Sequence, residues 1–327
     1  MSDHFFYDHM KDYPRIVFFG TPDFAVTSLR RIVEEGFHVA AVITAPDKPA
    51  GRGMNMATSP VKRFADEAGL PVLQPVNMKD PVFADQLKSL KPDLQIVIAF
   101  RMMPKSVWSL PPLGTFNLHA SLLPQYRGAA PINRAIMNGE KETGVTTFFL
   151  NEKVDTGRIL FSEAVTIGQD ETAGELHDRL MLVGAELVVK TVNYIISGNT
   201  SEIPQESLIE PGLILKEAPK IFKEDCTINW NDTTLNLYNF IRGLTPSPGA
   251  FCIIKLPDCS EQMLKIYQSV PEIVSDSLLP GKFISDGKTD LKVRTADGFL
   301  HLERVQLSGR KPMNIGDFLR GYGALFS

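Results

Sequence analysis

The sequence predicts an α/β protein in which a doubly wound parallel sheet is followed by a small C-terminal β-barrel. The first half alternates short apolar runs, typical of buried strands, with stretches of helical periodicity. The last third contains short alternating runs separated by turns rich in glycine and proline. With 327 residues the chain is long enough for two domains with buried cores.

The first half is predicted to form right-handed βαβ units, because its strands and helices alternate. Strands are expected at 15–20, 39–43, 72–73 and 94–100, and helices at 25–36, 59–69 and 81–90. Ser59 followed by Pro60 is a typical helix N-terminus, with a side-chain cap and a proline in the first turn.

The second half predicts helices at 131–139 and 173–196, one helix within 230–244, and strands at 251–256, 264–270, 292–294 and 300–307. Prolines without apolar periodicity indicate a connecting segment before the last strands. The predicted division is a disordered extension at 1–13, an α/β catalytic domain at 14–203, a linker at 204–219 and a β-barrel domain at 220–327.

Composition narrows the class of protein. The formal net charge of −4 provides no global basic field, which argues against a nucleic-acid coat protein. It does not exclude nucleic-acid binding through a local basic patch. The three cysteines show no metal-binding spacing, so we expect reduced cytoplasmic thiols and no metal. We expect no membrane association, since no apolar run approaches the ~20 residues needed to cross a bilayer.

Asn117 and His119 are the first candidates for chemistry. They lie two residues apart in a run of extended character, so both side chains should leave the same face of one strand. A carboxamide can donate to the oxyanion that forms on a carbonyl under attack, and an imidazole can move a proton. The pair therefore predicts a site for carbonyl chemistry, although a buried structural pair has the same pattern.

Asp155 is the predicted third member of this site. It lies in a polar loop that ends at Gly157, between two strand-like runs. A carboxylate near His119 would favour the charged imidazole and fix its tautomer. Asp-Thr-Gly is also a common turn, which is the structural alternative.

The first strand-to-helix turn argues against a nicotinamide cofactor. A dinucleotide site requires the pattern G-x-G-x-x-G at this position, and this chain has a single glycine, Gly20. The bulky residues Pro22 and Phe24 stand where the pyrophosphate would approach the backbone.

Three motifs in this order and spacing resemble the 10-formyltetrahydrofolate-dependent formyltransferases. They are Asn117-x-His119, Ser-Leu-Leu-Pro-x-Tyr-Arg-Gly-x-x-Pro from Ser121 to Pro131, and Val-Asp-Thr-Gly from Val154 to Gly157. The resemblance runs from about Arg15 to the C-terminus, and the opening segment is similar to members that formylate methionyl-tRNA. It implies a Rossmann-like domain followed by an OB-like barrel, with 10-formyltetrahydrofolate as co-substrate and Asn117, His119 and Asp155 as catalytic residues.

The resemblance also implies where the folate binds. The segment Ser121, Leu122, Leu123 and Pro124 would supply apolar surface and backbone groups to the folate. Arg127 either ties this loop to the sheet or contacts substrate. Arg101 occupies a position where the family commonly has glycine, and it either contacts the glutamate tail of the donor or points outward.

The expected acceptor is initiator methionyl-tRNA, bound by a monomer for translation initiation. The basic loop at 47–63 resembles the loop that such enzymes insert at the acceptor stem, and it contains Arg52 and Lys62. Met54, Asn55 and Met56 depart from the lysines that the family often carries there. In the C-terminal domain, the implied tRNA-binding residues are Lys223, Arg310 and Lys311.

Several alternatives remain open from the residues alone. The same donor site serves related enzymes that formylate another amine, such as a nucleotide amino sugar, or that hydrolyse the formyl donor. The basic loop could be an ordinary solvated surface loop. A non-catalytic RNA-binding module is a further class, which the complete set of Asn117, His119 and Asp155 argues against.

Overall fold

The computed structural model describes residues 14–50, 55–199, 201–256 and 260–326, with only the backbone of residues 50 and 55. The expected extension at 1–13 therefore lies outside the described residues. The chain forms two compact units, each made of three segments. The first comprises the chain up to Gly128, Gly144–Val165 and His177–Glu217, and the second comprises Ala129–Thr143, Thr166–Leu176 and the chain from Ala218 onward.

The elements that precede the C-terminal third follow the predicted alternation. The strands are β1 (Ile16–Gly20), β2 (Val39–Ile43), β3 (Lys48–Ala50), β4 (Asn55–Ala57), β5 (Val72–Leu73), β6 (Leu94–Ile98), β7 (Thr115–His119), β8 (Arg127–Gly128), β9 (Glu142–Phe149) and β10 (Ile159–Thr166). The helices are α1 (Asp23–Glu34), α2 (Pro60–Glu67), α3 (Pro81–Ser89), α4 (Lys105–Trp108), α5 (Pro131–Met137) and α6 (Ala173–Ile196).

Seven strands form the main sheet in the order β10-β9-β7-β6-β1-β2-β5. The five strands from β7 to β5 run parallel, which confirms the predicted α/β architecture. The strand β9 pairs antiparallel with β7, which the sequence pattern did not predict. Large parallel sheets often carry such an antiparallel edge.

Local sequence explains the borders of these elements. The hydroxyl of Ser59 accepts a hydrogen bond from the Lys62 backbone N–H at 3.0 Å, and Pro60 opens α2 as predicted. The apolar run of β1 is completely buried, as expected for a strand covered on both faces. The helix α1 begins at Asp23, two residues before the predicted start, because an acidic residue is favourable in the first turn.

The second unit contains an antiparallel sheet, which confirms the predicted β domain. The two-residue strand β11 (Glu217–Ala218) precedes it; the sheet contains β12 (Ala250–Lys255), β13 (Glu261–Ile273), β14 (Phe283–Ser285), β15 (Leu291–Arg294), β16 (Gly298–Leu307) and β17 (Met313–Asn314). Their order is β12-β13-β16-β15-β14, with β17 paired to β16, so the described strands form a half-barrel. The helices α7 (Thr234–Leu244) and α8 (Ile315–Tyr322) pack on its buried face.

Two cysteines are buried free thiols within this second core. Burial raises the pKa of Cys252 to about 12 and also raises the pKa of Cys226. The third cysteine, Cys259, lies outside the described residues. Within the described ranges, no helix is long and apolar enough to span a bilayer, and no group of residues is arranged to hold a metal ion.

Candidate active site

The pleat of β7 places Asn117 and His119 on the same face of the sheet. The alternate residues Phe116 and Leu118 are buried, as the period of two predicts. β7 lies between β6 and β9, so its backbone is paired on both sides. Asn117 is half-buried and His119 is almost fully buried, which gives both groups a fixed position near the end of the strand.

The imidazole of His119 is oriented by a backbone carbonyl. Its Nε2 lies 2.8 Å from the carbonyl oxygen of Tyr126. Because a carbonyl oxygen can only accept, Nε2 donates the proton of this bond. Nδ1 therefore faces the carboxylate of Asp155, whose Oδ2 lies 3.9 Å away. The structure brings the predicted His119 and Asp155 together, at a separation slightly longer than a direct hydrogen bond.

Asp155 occupies a turn with an uncommon backbone conformation. Its φ of 52° lies in the left-handed region, which Asp tolerates better than most residues. Its Oδ2 accepts a hydrogen bond of 2.9 Å from the backbone N–H of Gly128. His119 and Asp155 are thus both bonded to the segment 126–128, which fixes their relative position.

Gln205 is a site-associated residue that the sequence analysis missed. Its side chain is completely buried, although it lies in the segment predicted to be a linker. Its Oε1 accepts hydrogen bonds from Nε and Nη2 of Arg127, at 3.0 and 2.6 Å. Its Nε2 donates to the carbonyl oxygens of Asp155 and Gly157, at 3.0 and 2.8 Å. No local sequence pattern signals this role.

A cavity of about 520 Å³ opens beside the Asp155 turn. It is lined by Arg127, Asn151, Glu152, Lys153, Thr156 and Glu206. All six are polar or charged, so the cavity suits a hydrophilic part of a substrate better than an apolar ring.

The predicted folate segment is largely committed to internal contacts. The Ser121 hydroxyl donates to the carbonyl oxygen of Gln125 at 2.7 Å and is fully buried. Leu123 packs in a small core with Phe148, and Pro124 is buried. Leu122 is half-buried, so of these four side chains it has the largest accessible fraction.

Both arginines with undecided roles are engaged with protein groups. Arg127 is bonded to Gln205, which matches the structural alternative for this residue. Arg101 is exposed and donates to the backbone carbonyls of Pro75 and Val76, so it joins the loop after β6 to the loop after β5.

The predicted basic loop contains β3 and β4, which pair antiparallel as a hairpin. Arg52 lies outside the described residues. Lys62 is not a free cation, because its Nζ lies 2.5 Å from Oδ2 of Asp47. Hydrogen bonds from Lys62 and Gln74 hold the pKa of the Asp47 carboxyl below its usual range. Lys62 thus links α2 to Asp47, the residue directly before β3.

The basic residues predicted in the second unit are all exposed. Lys223 precedes a short 3₁₀ turn at Glu224–Cys226, while Arg310 and Lys311 lie between β16 and β17. Exposed lysine and arginine side chains are available to phosphates.

Comparison with known proteins identifies the family. The formyl transferase model matches residues 14–192, and the formyl transferase C-terminal domain model matches residues 220–323. Methionyl-tRNA formyltransferase from Phocaeicola vulgatus is 52% identical, and that from Parabacteroides distasonis is 50% identical. Each alignment covers 94% of this chain and 95% of the relative.

A solved structure supports the same assignment at the level of the fold. The N-formyltransferase from Helicobacter canadensis, in complex with folinic acid and dTDP-3-aminofucose, aligns with a TM-score of 0.62 at 20% identity. The alignment covers 88% of this chain and 98% of that protein. The matched domains, the relatives of about half identity and the shared fold lead to one conclusion: the chain belongs to the formyl transferase family.

Proposed function

We propose that this protein transfers the formyl group of 10-formyltetrahydrofolate to the free amino group of initiator methionyl-tRNA. The observation that carries the proposal is identity of about 50% over nearly the whole chain with relatives named methionyl-tRNA formyltransferase. The sugar formyltransferase that shares the fold is only 20% identical, so formylation of a nucleotide amino sugar is less favoured.

Asn117 and His119 stabilise the developing charge on the formyl oxygen. Both side chains share one face of β7, and the rigid sheet holds them in place. The Asn117 amide donates a hydrogen bond to the oxygen, and a proton on Nδ1 of His119 supplies the second donor, because Nε2 is bonded to the carbonyl of Tyr126. Removing one donor of this kind typically lowers the rate by ~10²–10³.

Asp155 acts on the proton balance of the reaction. Its carboxylate faces Nδ1 of His119 at 3.9 Å and is only slightly exposed, so its charge is weakly screened. It orients the imidazole and accepts the proton that the attacking amine releases, and that proton passes to N10 of the folate as the bond between N10 and the formyl carbon breaks. Proton transfer by a positioned group contributes ~10²–10⁴ to the rate.

The folate supplies the formyl group, and the polar groups at the end of β7 fit such a donor. Ligands of open α/β sheets bind outside the carboxyl ends of the strands, which is where Asn117 and His119 lie. Among the four predicted folate residues, Leu122 offers the accessible apolar surface. Ser121, Leu123 and Pro124 support the loop from the inside.

The tRNA is held by cations. Arg52, together with the exposed Lys223, Arg310 and Lys311, binds phosphates of the acceptor arm. Lys62 belongs to the same proposed set, and its ion pair with Asp47 holds it beside the start of β3.

The test is a transfer assay with one donor and four acceptors. Purified protein is incubated with 10-formyltetrahydrofolate and either charged initiator tRNA, free methionine, a nucleotide amino sugar or water alone. Formyl transfer to the charged tRNA should exceed the other three by orders of magnitude. Equal or faster transfer to the amino sugar, or hydrolysis without an acceptor, would replace the proposal with the corresponding alternative.

A further inference from the structure

Gln205 joins two parts of the first unit through a single buried carboxamide. Its oxygen accepts from two nitrogens of Arg127, and its nitrogen donates to the carbonyls of Asp155 and Gly157. These four hydrogen bonds use both N–H donors of the amide and accept twice at its oxygen. The partners are separated from Gln205 by 48 to 78 positions along the chain, so the contacts are tertiary.

The turn that Gln205 holds has an uncommon backbone conformation. Asp155 has a positive φ of 52°, a conformation that L-residues adopt only at an energetic cost. Such backbone persists only where the surroundings over-determine it.

The same connection sets the position of the Asp155 carboxylate. Arg127 is followed directly by Gly128, whose N–H binds Oδ2 of Asp155. Gln205 thus holds the turn through the backbone carbonyl of Asp155. It also holds Arg127, and the next residue, Gly128, donates the hydrogen bond that holds the carboxylate. A shift of about 1 Å in a reacting group can cost ~10²-fold in rate.

We infer that Gln205 is a positioning residue that holds Asp155 opposite His119 through the Arg127–Gln205–Asp155 connection. This inference rests on the proposed catalytic role of Asp155. The hydrogen bonds described for Gln205 join it to Arg127, Asp155 and Gly157, so its effect on the reaction passes through Asp155. It should therefore alter turnover and the pH dependence of turnover, with little effect on substrate binding.

The decisive experiment is a double-mutant cycle of Gln205→Ala and Asp155→Asn, followed by steady-state formyl transfer. Gln205→Ala alone should lower kcat about 10–100-fold and leave both KM values within about twofold. In the Asp155→Asn background the same substitution should cost less than about twofold, because the group that it positions has already been disabled. The pH–rate profile of Gln205→Ala should move toward that of Asp155→Asn.

Two further variants separate positioning from a general loss of stability. Gln205→Glu keeps an oxygen for Arg127 but loses the donor to the Asp155 turn, so it should show the same kcat defect even if Gln205→Ala folds poorly. Gln95→Ala serves as the matched control, since Gln95 is also a fully buried glutamine and its Oε1 accepts from Thr115. Its effect should be the same in both backgrounds.

The outcomes distinguish this inference from the proposed function. If Asp155→Asn is impaired but Gln205→Ala costs equally in both backgrounds, the positioning role is wrong and the proposed function stands. If Gln205→Glu and Gln205→Ala both keep wild-type kcat, the positioning role is also wrong. If Asp155→Asn itself keeps wild-type turnover and pH dependence, both the inference and the proposed role of Asp155 fail.

Discussion

The Nε2 atom of His119 lies 2.8 Å from the carbonyl oxygen of Tyr126. This bond decides which nitrogen of the ring stays available, because the carbonyl oxygen accepts a hydrogen bond from Nε2–H. Nδ1 then faces Asp155. Tyr126 has a positive φ of 59°, and its backbone N–H donates to the carbonyl oxygen of Lys216 at 2.6 Å. The residue whose carbonyl orients the imidazole is therefore itself held by a backbone hydrogen bond.

The shared face of β7 leads to the first prediction. His119→Ala and Asn117→Ala should each lower formyl transfer about 10²-fold or more, because each removes a donor to the developing oxyanion. Steady-state transfer to charged initiator tRNA measures the loss, and circular dichroism checks the fold. Near wild-type turnover in a folded variant would exclude that residue from the chemistry.

The carboxylate of Asp155 leads to the second prediction. Asp155→Asn should lower turnover at neutral pH about 10²-fold or more and shift the pH–rate profile, because His119 loses the facing negative charge. Asn tolerates the left-handed region, and its side-chain oxygen can still accept from the Gly128 N–H. The substitution thus removes charge with little change in geometry.

The same variant tests the structural alternative for Asp155. If this residue only forms a turn, Asn should preserve both the turn and the rate. A pH–rate profile identical to that of the wild type would therefore remove Asp155 from the catalytic set.

The hairpin between β3 and β4 leads to the third prediction. Arg52→Ala should raise the KM for tRNA and reduce the salt dependence of binding by about one counterion, while folate affinity stays nearly unchanged. Lys88→Ala, which removes an exposed cation from α3, is the matched control. Equal damage to tRNA and folate binding would indicate that the hairpin acts at the donor site.

A histidine in the second unit leads to the fourth prediction. Nδ1 of His301 lies 2.9 Å from Asp290, and Nε2 lies 2.9 Å from Glu272, which Lys292 also approaches at 3.2 Å. Burial alone would lower the pKa of His301, but the hydrogen bonds to Asp290 and Glu272 outweigh it and raise the pKa above its usual value.

The direction of these shifts sets the pH range. The raised pKa of His301 stabilises the fold at pH values below the ordinary histidine value of about 6.5, and this contribution is lost as pH rises through the folded value. The hydrogen bond from His301 lowers the pKa of Glu272, so the contribution of that carboxylate is lost as pH falls below about 4.3. The cluster therefore contributes most between these limits.

His301→Gln should accordingly lower Tm more at pH 6 than at pH 9, by about 1–3 °C. Thermal unfolding of the full chain at the two pH values measures the difference. A loss that is equal at both values, or larger at pH 9, would contradict the assigned direction.

Regular elements could be predicted where the pattern was long. The helix α6 spans Ala173–Ile196, as its apolar periodicity predicted. The strands β14 and β17 were missed, because three and two residues are too few to show alternation. The helix α8 was also missed, since its eight residues offer only about two turns of apolar periodicity.

The site residues could likewise be predicted only where the pattern that reveals them is local in the sequence. Asn117 and His119 were predicted to share a face because the period of a strand is local. The partners of Gln205 could not be predicted, because its hydrogen bonds to Arg127 and Asp155 span 78 and 50 positions. The pairing of Lys62 with Asp47 joins residues 15 positions apart, and counting charges along the loop does not reveal it.

The segment after Ile203 also determines where the chain can be cut for expression of a catalytic fragment. A fragment that ends at Ile203 lacks both Gln205, which holds the Asp155 turn, and Lys216, whose carbonyl binds the backbone of Tyr126. Such a fragment would keep Asn117 and His119 on β7. It would lose the hydrogen bonds that hold Tyr126 and the Asp155 turn. The shortest fragment that retains these contacts therefore extends to Glu217.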